Sequence, residues 1–176
     1  MLDTLISSKT RIKLLLKFFL NSDSRSYLRS LETEFGESTN AIRIELNRFE
    51  DAGMLKSKKQ GNRKYFKANT NHPLFEEMQK IMRKYVGIDQ IIERVVNNLG
   101  NLEQVYIEGK LAQGLEAEVV DLILVGKNID RQYLTMLINK AEEAIHKRIR
   151  YVLFDSGMAQ DYIQKDQIKP LLIWSA

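Results

Sequence analysis

The stretch from Ser38 to Ala68 constrains the chain most, because its hydrophobic period switches from helical to alternating across one glycine. Ile42, Leu46 and Phe49 recur every three or four residues, which predicts an amphipathic helix over about Thr39–Ala52, capped by Ser38 or Thr39. Gly53 closes that helix in the C′ manner. Leu55–Gln60 and Arg63–Ala68 then flank Gly61-Asn62, a two-residue turn whose members both tolerate positive φ, so a β-hairpin follows. Upstream, Ile12, Leu15, Leu16, Phe19 and Leu20 predict an amphipathic helix over about Lys9–Leu20, ended by Asn21-Ser22-Asp23-Ser24. A shorter helix is expected over about Ser26–Phe35, with Leu28, Leu31 and Phe35 on one face and Gly36 breaking it. Helix, helix, tight turn, helix and hairpin within about 65 residues is the winged helix-turn-helix order. Residues 1–70 are therefore expected to form a DNA-binding domain.

Charge supports that expectation. Residues 1–87 hold 10 Lys and 7 Arg against 10 acids, a balance of +7, whereas the remainder carries −3. A basic half joined to an acidic half points to a polyanion met by the first half only. On the predicted third helix, Thr39, Asn40, Arg43, Ile44 and Asn47 lie roughly opposite the apolar stripe. The first turns of such a helix enter the major groove, where Arg43 can pair with guanine and Asn40 or Asn47 with an adenine edge. Lys56, Lys58, Lys59, Arg63 and Lys64 of the hairpin are assigned to phosphates, which give salt-dependent affinity without sequence choice.

The run ESTNAIRIELNRFEDAGMLKSKKQGNRKYFKA resembles the recognition helix and wing of bacterial winged-helix repressors of the arsenic-repressor type. Double-stranded DNA is the partner this implies.

After Asn71-His72-Pro73, Leu74–Val86 reads as a helix through Met78, Ile81, Met82 and Tyr85. Gly87 interrupts it, and Ile88–Asn98 continues around Ile91, Ile92, Val95 and Val96. Residues 71–100 are thus a helical linker whose apolar faces either pair two copies of the chain or pack back on the first domain. A homodimer would space two recognition helices about one DNA turn apart. His72 beside the proline reads as a loop residue, and His146 has no second ligand at metal spacing.

From about Leu102 the pattern becomes β-loop-β-α-β: strands at Gln104–Ile107, Val119–Val125 and Arg148–Asp155, with a helix at Arg131–His146. Residues 101–176 are expected to make a small mixed α/β domain, and the whole chain an α+β protein. Leu171–Trp174 is a last strand or a packed tail.

VYIEGKLAQGLEAEVVDLILVG resembles the nucleotidyltransferase signature of small bacterial enzymes related to the DNA polymerase beta superfamily. That resemblance implies a Gly-Ser phosphate turn and paired acids holding Mg²⁺. Here Gly109 matches, Lys110 stands where the serine belongs, Gln113 replaces the usual arginine, and Asp121 has Val119 in place of its partner acid. One acid cannot support a two-metal transfer. We therefore expect a non-catalytic domain with no catalytic residue, metal or cofactor. Gly109, Lys110 and Asp121 remain a vestigial nucleotide site, open to a nucleotide or small-molecule effector. HPLFEEMQKIMRKYVGIDQII resembles the linker of bacterial regulators that join an arsenic-repressor-like winged helix to a nucleotidyltransferase-like domain.

Two alternatives stand beside this regulator. One is an active nucleotidyltransferase using Glu108, Glu116 or Glu118; the other is a protein-interaction module that binds no DNA. Absence of cysteine excludes a disulfide scaffold, a thiolate zinc site and a Cys nucleophile. The apolar runs Leu14–Leu16 and Phe18–Leu20, split by Lys17, are far shorter than the roughly 20 residues of a membrane span. With no signal peptide evident, a soluble cytoplasmic protein is expected.

Overall fold

The computed structural model describes residues 2–165 and 169–176 and divides into two compact units, Met1–Met82 and Arg83–Ala176. It is a mixed α+β protein with two sheets. The boundary between the units falls inside the expected linker.

In the first unit, helix α1 (Leu2–Leu5) precedes α2 (Lys9–Leu15), whose cap Ser8 accepts a hydrogen bond from the Arg11 amide. The helix continues as a π-helical segment, Leu16–Leu20. Its expected amphipathic character is not what forms. Leu14 and Phe18 are as inaccessible as the predicted stripe, and every residue from Leu14 to Leu20 is buried. A helix apolar all round takes the middle of a core and not its edge. Lys17 lies within this segment at 7% exposure, which is tolerable because its ammonium meets Glu34 at 2.6 Å.

The expected helix start at Ser26 is corrected by the sheet. Ser26–Tyr27 forms a short strand, β1, and α3 spans Leu28–Phe35. The pairings Ser26↔Phe66 and Tyr27↔Tyr65 commit those backbone groups to a ladder before the helix can begin. Gly36 adopts φ 62° and sends its amide to Glu32, and Ser38 caps α4 (Thr39–Asp51) by accepting from the Ala41 amide. β2 (Leu55–Gln60) and β3 (Arg63–Ala68) pair antiparallel, giving the order β1-β3-β2. At the hairpin tip Gly61 alone takes positive φ, at 58°; Asn62 does not, so the glycine absorbs the turn by itself.

Helix α5 (Phe75–Val86) carries the chain into the second unit, where α6 (Ile88–Ile91) runs into a π-helical segment, Ile92–Val96. That helix ends short of Asn98, whose side-chain amide donates to the carbonyls of Glu93 and Arg94. β4 (Leu102–Glu108) is followed by a single helical turn, α7 (Gly109–Ala112), and by β5 (Val119–Gly126). Helix α8 (Arg131–Ile145), capped by Asp130, leads to β6 (Arg148–Phe154); α9 (Ala159–Lys165) and β7 (Leu171–Ser175) complete the unit. The sheet order is β6-β5-β4-β7, parallel only between β5 and β6. Beyond Asp121, β5 is apolar along both faces because both are covered. Val120, Leu122 and Leu124 are inaccessible, and on the other face Ile123 and Val125 pack with Ala159, Phe154 and Ile163.

Ile88, Ile91, Val95 and Val96 are buried within this unit, where α6 and its π-helical extension pack on α8. Their apolar surface is therefore spent inside one chain.

Gly87 makes that packing feasible. It holds φ 90°, and a Cβ there would lie 2.7 Å from Cγ2 of Ile145. Gly87→Ala is expected to lower stability by about 2 kcal/mol or more, since left-handed strain alone costs about 1–2 kcal/mol before the overlap is counted. Urea unfolding of the full chain reads this directly; an unchanged midpoint would show that the junction relaxes without cost.

Candidate nucleic-acid interface

Helix α4 is fixed in its rotation by a charge turned inward. Glu45, at 5% exposure, accepts a bidentate bond from Arg11 at 2.9 and 3.2 Å and a third from Arg48 at 3.1 Å. Burial pushes this carboxyl up, but the hydrogen bond and charge of Arg11, with the charge of Arg48, hold it below the usual carboxylate range. With Ile42, Leu46 and Phe49 it forms the buried side of the helix.

The opposite side is open. Asn40, Arg43, Ile44 and Asn47 are exposed and Thr39 is half-buried; Ile44, at 43%, is a large apolar side chain turned to solvent. Arg43 and Asn47 line a groove of 610 Å³ together with Arg29, Asn62, Arg63 and Lys64. Thr39, Asn40 and Ile44 are not among the residues lining it. Arg29, in the first turns of α3, was not singled out from sequence. Its membership follows from the packing of α3 on α4, which local patterning does not encode.

The five hairpin cations do not share a face. Strand register puts Lys56, Lys58 and Arg63 on one side and Lys59 with Lys64 on the other, beside the buried Leu55, Phe66 and Ala68. Lys64 is also committed: it reaches Glu50 at 2.5 Å, and the same carboxylate accepts the Ser57 hydroxyl. The Lys64 bond, then the Ser57 bond, hold Glu50 below the usual range.

In the second unit a cleft of 1560 Å³ is lined by Gly109, Lys110, Asp121, Lys147, Arg148 and Arg150, among others. The three residues expected there from sequence, Gly109, Lys110 and Asp121, do lie together. Gly109 holds φ 69°, and a Cβ on it would sit 3.4 Å from Oδ2 of Asp121. Sequence reading missed the partner of Asp121. Arg150, next to it across the parallel β5–β6 register, donates to both carboxylate oxygens at 2.7 and 3.0 Å. Glu108 faces Asp121 across β4–β5, so acid, acid and guanidinium form a row over three strands. Burial pushes the Lys147 ammonium down, opposed by the charge of Glu116.

A divalent metal pair does not fit this donor set. Asp121 has both oxygens on Arg150, and Val119 offers no ligand. No group of three or more His, Asp or Glu among the described residues could hold a metal ion. His146 closes α8 at φ 53°, and the Nδ1 of His72 accepts the Leu74 amide, which is the loop role expected of it. Among the described residues no helix is long and apolar enough to cross a membrane.

Several solved structures resemble parts of the chain. Reduced HlyU from Vibrio cholerae is 13% identical, covering 49% of this chain and 83% of its own, at TM-score 0.38. A protein assigned as a nucleotidyltransferase from Sulfolobus solfataricus is 24% identical, covering 53% and 82%, at TM-score 0.38. A complex of tri-AMPylated HEPN toxin with MNT antitoxin from Shewanella oneidensis contributes a chain 16% identical, covering 51% and 71%, at TM-score 0.38. No family model and no curated protein matches the sequence.

Glu45→Gln is expected to cost about 1–3 kcal/mol at neutral pH by replacing a buried carboxylate, bound by Arg11 and Arg48, with a neutral amide. The carboxyl is held low in the fold, so its contribution is complete above the ordinary value of 4.5 and fades as pH drops through the lower folded value. The stability gap between the two proteins should therefore close on acidification. Urea unfolding at pH 7 and near pH 3 measures it; a gap that stays constant would show that the fold does not lower the Glu45 carboxyl.

Proposed function

We propose that this chain is a sequence-specific DNA-binding transcription regulator, related to the bacterial regulators it resembles. In this reading residues 1–70 are a winged helix-turn-helix domain, 71–100 a helical linker, and 101–176 a degenerate nucleotidyltransferase-like domain used for regulation or assembly. The observation that carries it is the groove in which Arg43 and Asn47, on the open face of α4, meet Arg29, Arg63 and Lys64. A helix with a donor-rich face beside cations suits the major groove, because base edges need directed donors and flanking phosphates need charge. Arg43 and Asn47 are assigned to bases, with Thr39, Asn40 and Ile44 toward the helix start. Lys56, Lys58, Lys59 and Arg63 are assigned to phosphates. Lys64 contributes less, since Glu50 already holds it.

The regulator is taken to act as a cytoplasmic homodimer. The exposed Leu74 and Ile81 suit that pairing better than the buried residues of Ile88–Val96. The commitment of Asp121 to Arg150 supports a second domain without metal-dependent catalysis. A phosphate-bearing effector would instead meet Lys110 beside Gly109, with Lys147 and Arg148 lining the same cleft.

A salt-titrated binding assay against a pool of genomic fragments tests this reading, with enrichment of a palindromic site and a steep negative salt slope expected. Arg43→Ala should cost about 1–3 kcal/mol at its preferred base and relax specificity there, whereas Lys58→Ala should weaken all sequences alike and lower the salt slope by about 1. Equal loss of preference in both variants would overturn the division of roles. Metal-dependent transfer of label from a nucleoside triphosphate, abolished by Asp121→Asn, would overturn the non-catalytic assignment.

A further inference from the structure

Among the described residues, the lysines withdrawn from water are Lys13, Lys17 and Lys147. The first two are met by carboxylates, Lys13 by Glu37 at 2.7 Å and Lys17 by Glu34 at 2.6 Å, as a buried ammonium requires. Lys147 is different, since it belongs to no ion pair among the described residues. Glu116, whose charge acts on it, accepts the Tyr85 hydroxyl at 3.0 Å. Glu142 accepts the Ile149 amide at 2.7 Å and lies 3.6 Å from Arg148. The root of the Lys147 side chain is nonetheless fixed. His146 ends α8 at φ 53°, and Arg148 enters the β5–β6 ladder opposite Val119, so Lys147 is held between a helix end and a sheet. Its side chain lines the 1560 Å³ cleft that also contains Gly109 and Lys110. Burial pushes its ammonium down, which favours the neutral amine.

We infer that Lys147 is an acceptor amine in this cleft, forming a reversible imine with a small phosphorylated aldehyde whose phosphate is held at Lys110. The inference rests on the reading of the cleft as a site for a phosphate-bearing effector, and adds the reactive group of that effector and the residue it joins. The amine lone pair attacks the carbonyl carbon and forms the C–N bond. The carbonyl oxygen takes up both amine protons and leaves as water, so C=N replaces C=O with no oxidant or reductant. Two features select an aldehyde over a simple anion. A lysine kept only to bind phosphate must stay charged, and burial without a carboxylate partner works against that charge, whereas a nucleophilic amine needs its proton removed. The exposed Lys110 already supplies a cation for the phosphate, so the cleft divides into a charged end and an amine end. Its 1560 Å³ exceeds the roughly 300–1,000 Å³ of ordinary ligand pockets, which leaves room for both ends of one molecule. Because the imine hydrolyses back to its components, occupancy follows the concentration of free aldehyde, as an effector site requires.

The test uses the full chain with equimolar pyridoxal 5′-phosphate as the probe, since its imine absorbs visible light. Borohydride then reduces the C=N bond to a stable secondary amine, and peptide mass mapping of the wild type should place the trapped adduct on Lys147. Lys147→Arg keeps size and charge and should lose both the visible band and the adduct. Lys110→Ala should leave the adduct on Lys147 but raise the probe concentration needed for half-labelling several-fold. Pyridoxal without its phosphate should show the same several-fold weakening on the wild type, and inorganic phosphate should compete with the phosphorylated probe. Adduct spread over the exposed lysines, or undiminished in Lys147→Arg, would overturn the inference. Inorganic phosphate that raises the thermal unfolding midpoint of the wild type and not of Lys110→Ala, with no adduct on Lys147, would overturn the inference and leave the phosphate reading of the cleft standing. A Lys147 adduct formed equally well by pyridoxal and by its phosphate, and indifferent to inorganic phosphate, would overturn both.

Discussion

The first unit depends on burying one helix from every side. Once Leu14 through Leu20 are withdrawn from water, the cations interspersed on that helix must find anions on whatever packs against it. Lys17 takes Glu34 of α3, Lys13 takes Glu37 of the α3–α4 turn, and Arg11 takes Glu45 of α4. These pairs fix how α3 and α4 sit on the central helix, and with it which residues of α4 face out. They also use up acids. Of the carboxylates in the basic half, Glu34, Glu37 and Glu45 are bound to the central helix and Glu50 is bound to Lys64, so the sheet strands are left cationic. The surplus charge of the first half is therefore concentrated by the fold and not spread over it.

In the second unit the corresponding constraint is the row Glu108, Asp121, Arg150. Two carboxylates facing each other across adjacent strands repel, and a cation beside them relieves the repulsion. Here the cation is a guanidinium on the neighbouring parallel strand. Arg150 is largely exposed, at 73%, so its pair with Asp121 adds little to stability. Its consequence is chemical: both oxygens of Asp121 are occupied, and the cleft mixes the cations Lys110, Lys147 and Arg148 with Glu116, Glu118, Glu142 and Glu143. The same residues that make a metal pair a poor fit leave Lys110, Lys147 and Arg148 along one wall.

Much of this was legible from the sequence because it is local. The hairpin bounds, Leu55–Gln60 and Arg63–Ala68, were readable from a glycine turn between alternating strands, and Ser38 and Gly36 announced the ends of their helices. What could not be read was non-local or context-dependent. β1 is two residues long and exists only because β3, nearly 40 residues on, offers it a ladder. Periodicity reports amphipathic helices, so it could not announce that Leu14 and Phe18 are buried as fully as the stripe beside them. Glu45 carries no local mark of the Arg11 that binds it, and Arg150 none of its pairing with Asp121. Arg29 entered the groove for the same reason: tertiary packing decides which cations share a surface.

That last point bears on how charge and specificity divide in the first unit. A base-reading side chain has to be aimed, and α4 is aimed by the buried Glu45 on its back. A phosphate-binding side chain needs only charge and reach, so lysines on a two-stranded ribbon suffice. Arg63 is the exception, a hairpin cation held against the ring of Tyr27 at 4.6 Å from its centroid. Under the proposed function, a cation fixed at the rim of the groove would restrain the phosphates it holds, and through them the register in which Arg43 and Asn47 meet their bases. Under the proposed function Tyr27 would influence sequence choice without touching a base, by setting the frame in which the helix reads.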